Sequence, residues 1–138
     1  MKARLQRFDE RGVAAAELAI LLPVLLLILF GTIEFGMMMY GREVVTNAAR
    51  EGARYGIVAQ APPVTAAQMI TQATNYLTGT GVNPASVVFT VPACCGATGT
   101  PVTMAATYNY PWFIPYIPTL VGVPSPLPIP ITTTMRHE

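Results

Sequence analysis

The side chains able to do chemistry in this 138-residue chain are few and unevenly placed. From Gly56 to Met135 there is no Asp, Glu, Lys, Arg or His. General acid–base catalysis and most nucleophile activation draw on those groups, so this stretch reads as non-enzymatic. Two cysteines, Cys94 and Cys95, stand side by side in a Gly-containing turn. Outside the cytoplasm such thiols are expected to be oxidised. A vicinal disulfide, bridges to other chains and free thiols are the three options, and a turn pinned locally by the Cys94–Cys95 pair is the expected one. A zinc site takes about four ligands. His137 is the lone histidine, so no metal is expected. A thiol redox centre needs the two-residue spacing that is absent here. No phosphate loop or nucleotide motif occurs, and neither a cofactor nor a small-molecule substrate is expected.

The other residue of chemical interest is Glu17, at the edge of an apolar run. From Leu18 to Phe30 no side chain is polar, and Gly31, Thr32 and Ile33 extend the run to Glu34. Counted from Ala14, roughly 20 residues are predominantly apolar, enough for a helix to cross a hydrocarbon core of ~30 Å. Only a helix satisfies its own backbone while crossing lipid as a single segment. An acid in lipid costs about 2.5–3.5 kcal/mol at the bilayer centre, which makes intramembrane acids functional candidates. The bland alternative for Glu17 is a side chain that snorkels to the headgroups.

The element that positions Glu17 is therefore one long helix, starting in the membrane and ending outside it. The composition, 52% hydrophobic and 11% charged, leaves room for one span and one small domain. The net charge of +1, with no basic patch beyond the N-terminus, argues against a nucleic-acid partner. Lys2, Arg4, Arg7 and Arg11 precede the span, and Arg42, Arg50 and Arg54 follow it. The closely spaced N-terminal group places the N-terminus in the cytoplasm. A cleaved secretory signal is disfavoured, because the apolar run passes through Glu34 into Phe35–Tyr40 without an Ala-x-Ala site. A plain uncleaved anchor is the stronger alternative.

The order of residues around Gly12 goes beyond a plain anchor. Arg11-Gly12-Val13 is followed by Ala14-Ala15-Ala16 and then Glu17, the fifth residue after Gly12. This resembles the processing site of type IV pilin-like precursors, cut after the Gly by a membrane aspartyl (prepilin) peptidase. RGVAAAELAILLPVLLLILFGTIEFG, followed by TNAAREGARYG, is similar to the TadE-like family, the pseudopilins or minor pilins of the tight-adherence (Tad/Flp) pilus system. The terminus from Thr132 to Glu138 also resembles that of the family. The resemblance implies processing at Gly12, a new α-amino group on Val13, and a Val13–Glu17 charge pair between neighbouring subunits that sets helix register. It also implies the peptidase, other pilin-like subunits, the assembly platform and membrane lipid as partners.

Pro23 removes one helical hydrogen bond and is expected to kink the span, with a packing role between subunits as one reading. Glu34 is expected to mark the outer interface, with Met37, Met38, Met39 and Tyr40 in or just above the headgroups. The methionines are packing material rather than a metal site. Past the membrane the helix becomes amphipathic. At about 100° per residue, Glu43, Asn47, Arg50 and Arg54 share one face, with Gly41, Val44, Val45, Ala48, Gly52 and Tyr55 opposite. Ala48, Gly52 and Gly56 leave that side smooth, either for the chain's own outer domain or for a neighbouring subunit. Gly56 is a natural C-cap, and Pro62-Pro63 ends the helix.

The remainder predicts a second helix over Val64–Leu77, started by Thr65 or Pro63 and ended by Gly79. Strands are expected at Val87–Val91, at Val102–Tyr110 and at Leu127–Met135, the last at a sheet edge because Pro128 and Pro130 donate no ladder bonds. Residues 111–126 are apolar and Pro-rich, and no regular element is expected there. Trp112, Phe113 and Tyr116 in this loop either cover the domain's own core or form an interaction surface for lipid or a partner. The fold class is α+β: a long N-terminal transmembrane helix continuing outside the membrane, then a small exported domain of one further helix and an antiparallel sheet of about three strands. The expected organisation is a cleaved cytoplasmic leader (1–12), a pilin-like helix (13–56, about 14–40 in the membrane) and an exported domain (57–138). The functional expectation is a single-pass bacterial inner-membrane protein, its C-terminal domain extracytoplasmic, that assembles or primes a pilus or related secretion filament. The alternative is a static membrane-anchored binding module, neither processed nor assembled.

Overall fold

The computed structural model describes residues 2–58, 63–94 and 99–136, with side chains from residue 12 onward. The chain divides into two units at Gly36/Met37, although one helix, α1 (Lys2–Ile57), contributes to both.

In the first unit α1 is continuous through Pro23. Every described side chain from Gly12 to Ile33 is exposed, Leu18–Phe30 included. Water does not tolerate such a surface at this length. The helix is long and apolar enough to cross a membrane, with a mean hydropathy of 2.7 in its most apolar window. Thr32 donates its hydroxyl to the Ile28 carbonyl at 2.8 Å, which leaves no bare hydroxyl on the apolar surface.

The second unit begins with the rest of α1. Then come α2 (Ala66–Leu77), a 3₁₀ turn at Pro84–Ser86, β1 (Val87–Ala93), β2 (Pro101–Tyr110), α3 (Ile117–Val121) and β3 (Leu127–Arg136). Thr65 caps α2 in a capping box. Its hydroxyl accepts from the Gln68 N–H, and its own N–H donates to Gln68 Oε1 at 2.9 Å. The strands form an antiparallel sheet in the order β1-β2-β3, with Phe89 opposite Ala106 and Ala106 opposite Ile131. The register slips between Thr90 and Ala93. β3 is an edge strand, where Pro128 and Pro130 are tolerated.

Strict alternation along β2 buries Val102, Met104, Ala106, Tyr108 and Tyr110. They meet Val45, Ala48, Ala49 and Ala53 of α1 and Ala73 and Leu77 of α2 in one core with a small adjoining cluster. The α+β class and the three-stranded sheet are as the sequence predicts. One element differs: residues 111–126 contain α3. Pro118 is at its first turn, and Gly122 closes it in the left-handed region at φ 70°.

Candidate functional site

From Gly12 to Glu17 the chemistry-bearing N-terminal motif lies on the exposed surface of α1. The helix runs through Gly12 without a break, and a Cβ built there meets no atom within 4 Å. Val13 is exposed, and so is Glu17. They are four residues apart, one above the other on the same helix face. At a rise of ~1.5 Å per residue their Cα atoms are separated by about one turn, so a carboxylate at Glu17 can reach a charged group on the Val13 nitrogen or its counterpart on a neighbouring helix. Pro23 lies further along the same exposed helix.

Ala48, Gly52 and Gly56 do something else. All three are buried within the second unit. A Cβ on Gly52 would meet Met104 and the Met69 backbone, and one on Gly56 would meet the Met69 side chain. The smooth side of α1 is thus filled by the chain's own α2 and β2. It is not an open surface for another subunit, which corrects that reading of these three residues. The physical reason is close approach: small residues admit a neighbouring backbone, and the nearest one belongs to this chain.

Glu34 is the one buried charged residue among the described residues. It is 4% exposed and partnered within the chain, which leaves its expected place at the outer interface as an expectation. The following turn belongs to the second unit, where Tyr40 donates its hydroxyl to the Thr80 carbonyl at 2.8 Å. Gly41 is buried, and a Cβ there would meet the Tyr108 ring at 2.6 Å. Burial raises the Tyr108 pKa above its ordinary value. The polar face of this part of α1 carries a fork between Arg54 and Glu51, with N–O distances of 2.9 and 2.6 Å. Hydrogen bonding from Arg54 lowers the Glu51 pKa, and Gln72 of α2 adds to it. Spacing alone placed Arg54 on this face but did not single out the Glu51–Arg54–Gln72 cluster.

The loop residues divide. Trp112 packs against the core, donates Nε1–H to the Pro124 carbonyl at 3.1 Å, and meets Tyr110 edge-on at 5.9 Å. Phe113 and Tyr116 point to solvent. A cavity of about 500 Å³ is lined by Met37, Tyr40, Tyr108, Tyr110, Trp112 and Phe113, among others. Sequence reasoning did not find it, because its walls come from segments some 70 residues apart. Cys94 follows β1 and is disulfide-bonded. Cys95, the other half of the predicted turn, lies outside the described residues. Among the described residues, no cluster of His, Cys, Asp or Glu could hold a metal ion.

Comparison with known proteins adds one finding on the N-terminal segment. Residues 12–54 match the model of the family described as TadE-like protein. The match starts at Gly12, takes in Glu17 and the apolar run, and ends within α1. No curated protein and no solved structure gives a match.

Proposed function

We propose that this chain, TadE-like over residues 12–54, is a pilin-like subunit for the assembly or priming of a tight-adherence pilus or a related secretion filament. The observation that carries the proposal is the coincidence of that match with the geometry of α1. A Gly without neighbours, an exposed Glu one turn beyond Val13, and an apolar surface exposed on all sides form one continuous stretch. Such a surface is covered by lipid or by other apolar helices. A helix carrying an acid at its edge favours neighbours that supply a counter-charge.

In this reading a prepilin peptidase cuts after Gly12, and the new Val13 ammonium pairs with a Glu17 carboxylate in an adjacent subunit. The N-terminus lies in the cytoplasm, and the domain that follows the span, free of Asp, Glu, Lys, Arg and His from Gly56 to Met135, lies outside it. The protein contributes shape and packing rather than catalysis. A photoreactive residue at Leu21 tests the reading in native membranes. Crosslinks to other single-span pilin-like subunits are expected. Exclusive crosslinking to lipid in cells that assemble the filament would favour the static anchor instead.

A further inference from the structure

The surface formed by the start of the β2–β3 connection and by α3 has no role in the reading above. Phe113, Tyr116, Leu120 and Val121 are 66%, 82%, 71% and 57% exposed, in a stretch without a single charge. Isolated exposed apolar residues are ordinary, but four within nine residues form a patch. The patch is also held in place. Tyr116 and Leu120 are one helical turn apart, on one face. The Leu120 N–H donates to the Tyr116 carbonyl at 3.1 Å, and the Val123 N–H to the Pro118 carbonyl at 3.1 Å. The Trp112–Pro124 hydrogen bond ties the two ends of the segment together. These contacts order the backbone that carries the exposed side chains.

Connectivity decides what covers them. Phe113 shares a cavity wall with Met37 and Tyr40. Met37 follows Ile33, the last residue of the apolar run, by four residues. Whatever path the chain takes, four residues reach at most ~14 Å. The headgroup layer itself is about 5–8 Å deep on each side of the hydrocarbon core. Met37 therefore stays within about 14 Å of the end of the apolar run, which keeps this domain close to the lipid surface, and an aromatic residue with a polar tip such as Tyr116 suits the headgroup layer.

We propose that Phe113, Tyr116, Leu120 and Val121 form a second membrane contact that docks the domain on the lipid interface. The bond to lipid is apolar and does not depend on headgroup charge, since neither Lys nor Arg occurs from Ile57 to Met135. The inference rests on the reading of Leu18–Phe30 as a span. Trp112 is the one tryptophan and sits beside Phe113, which makes it a native reporter.

The test uses the full chain reconstituted in phosphatidylcholine vesicles whose acyl chains are brominated. Co-flotation with the vesicles reports the span; quenching of Trp112 reports the loop. Substantial quenching is expected, equal in vesicles with and without phosphatidylglycerol. The Phe113→Ser/Leu120→Ser double variant should co-float as before and lose quenching by about threefold or more, as expected for two apolar side chains removed from the contact. Leu120→Met, apolar and similar in volume, should retain it. Circular dichroism checks that the fold survives; if the double variant misfolds, Leu120→Ser alone is compared with Leu120→Met. A co-floating wild type without quenching would overturn the proposal. So would equal quenching in the serine variants, which would assign the proximity to the tether alone. Quenching only in anionic vesicles would assign the contact to Arg42 and its neighbours, and would also overturn it.

Discussion

Gly52 of α1 and Met104 of β2 approach so closely that a Cβ on Gly52 would lie 2.5 Å from the Met104 sulfur. The same Cβ would lie 2.9 Å from the Met69 carbonyl oxygen and 3.0 Å from Ala73 Cβ, so part of the obstruction is backbone. Gly52→Ala is expected to destabilise the domain by about 1–3 kcal/mol through overpacking, offset in part by the ~0.5–1 kcal/mol that Ala gains over Gly in a helix. At Gly56 the obstruction is the flexible end of Met69, and Gly56→Ala should cost less. Thermal denaturation of both variants in detergent gives the ranking; equal melting temperatures would contradict it.

Gly12→Val should block removal of the leader, because the peptidase is expected to accept only a residue without a side chain at the scissile bond. The helix leaves open space around Gly12, so folding is not the obstacle. A variant that accumulates at the precursor mass supports the processing role. Normal processing of the variant would remove it.

Glu17→Ala should leave insertion and processing intact, since removing an acid from an apolar helix lowers its cost in lipid. It should weaken association with neighbouring subunits. Leaving one partner of a buried pair without the other costs about 3–5 kcal/mol, and ~1.4 kcal/mol is already tenfold. Crosslinked partner should fall by about tenfold or more. Wild-type crosslinking with a correct N-terminus would reduce Glu17 to a headgroup residue.

The Glu51–Arg54 fork sets a pH dependence. Arg54 holds the Glu51 carboxyl below its ordinary value, with Gln72 contributing. A depressed folded pKa gives stability that is present above the unfolded value, about 4.3, and is lost as pH falls through the folded value. The pair is exposed, so the effect is small. Glu51→Gln should melt slightly below the parent at neutral pH, and the gap should close below about pH 4. A gap that widens on acidification would contradict this.

Much of the domain was legible because its periods are clean. Val45, Ala48 and Gly52 recur at helical spacing and are buried; Thr65, one of the two expected starts, caps α2; the even-numbered residues of β2 all face the core. Pro128 and Pro130 pointed to an edge, and β3 is one. What stayed hidden depends on tertiary approach. A smooth helix side does not say whose backbone will fill it, so Gly52 against Met69 and Met104 could not be told from a subunit contact. The close passage of Gly41 under Tyr108 joins residues far apart in sequence. Glu34 carries no local sign of its burial. α3 was masked by composition: it is five residues long with Pro118 inside, too short to display a period. In the N-terminal motif, residue order around Gly12 carried the signal, and the family match begins at that residue.

The most direct test of the pilin-like reading is the mass of the mature chain from native membranes and sheared filaments. The expected species begins at Val13, with residues 1–12 removed. A chain found only with its leader intact, in cells that assemble the filament, would contradict the account.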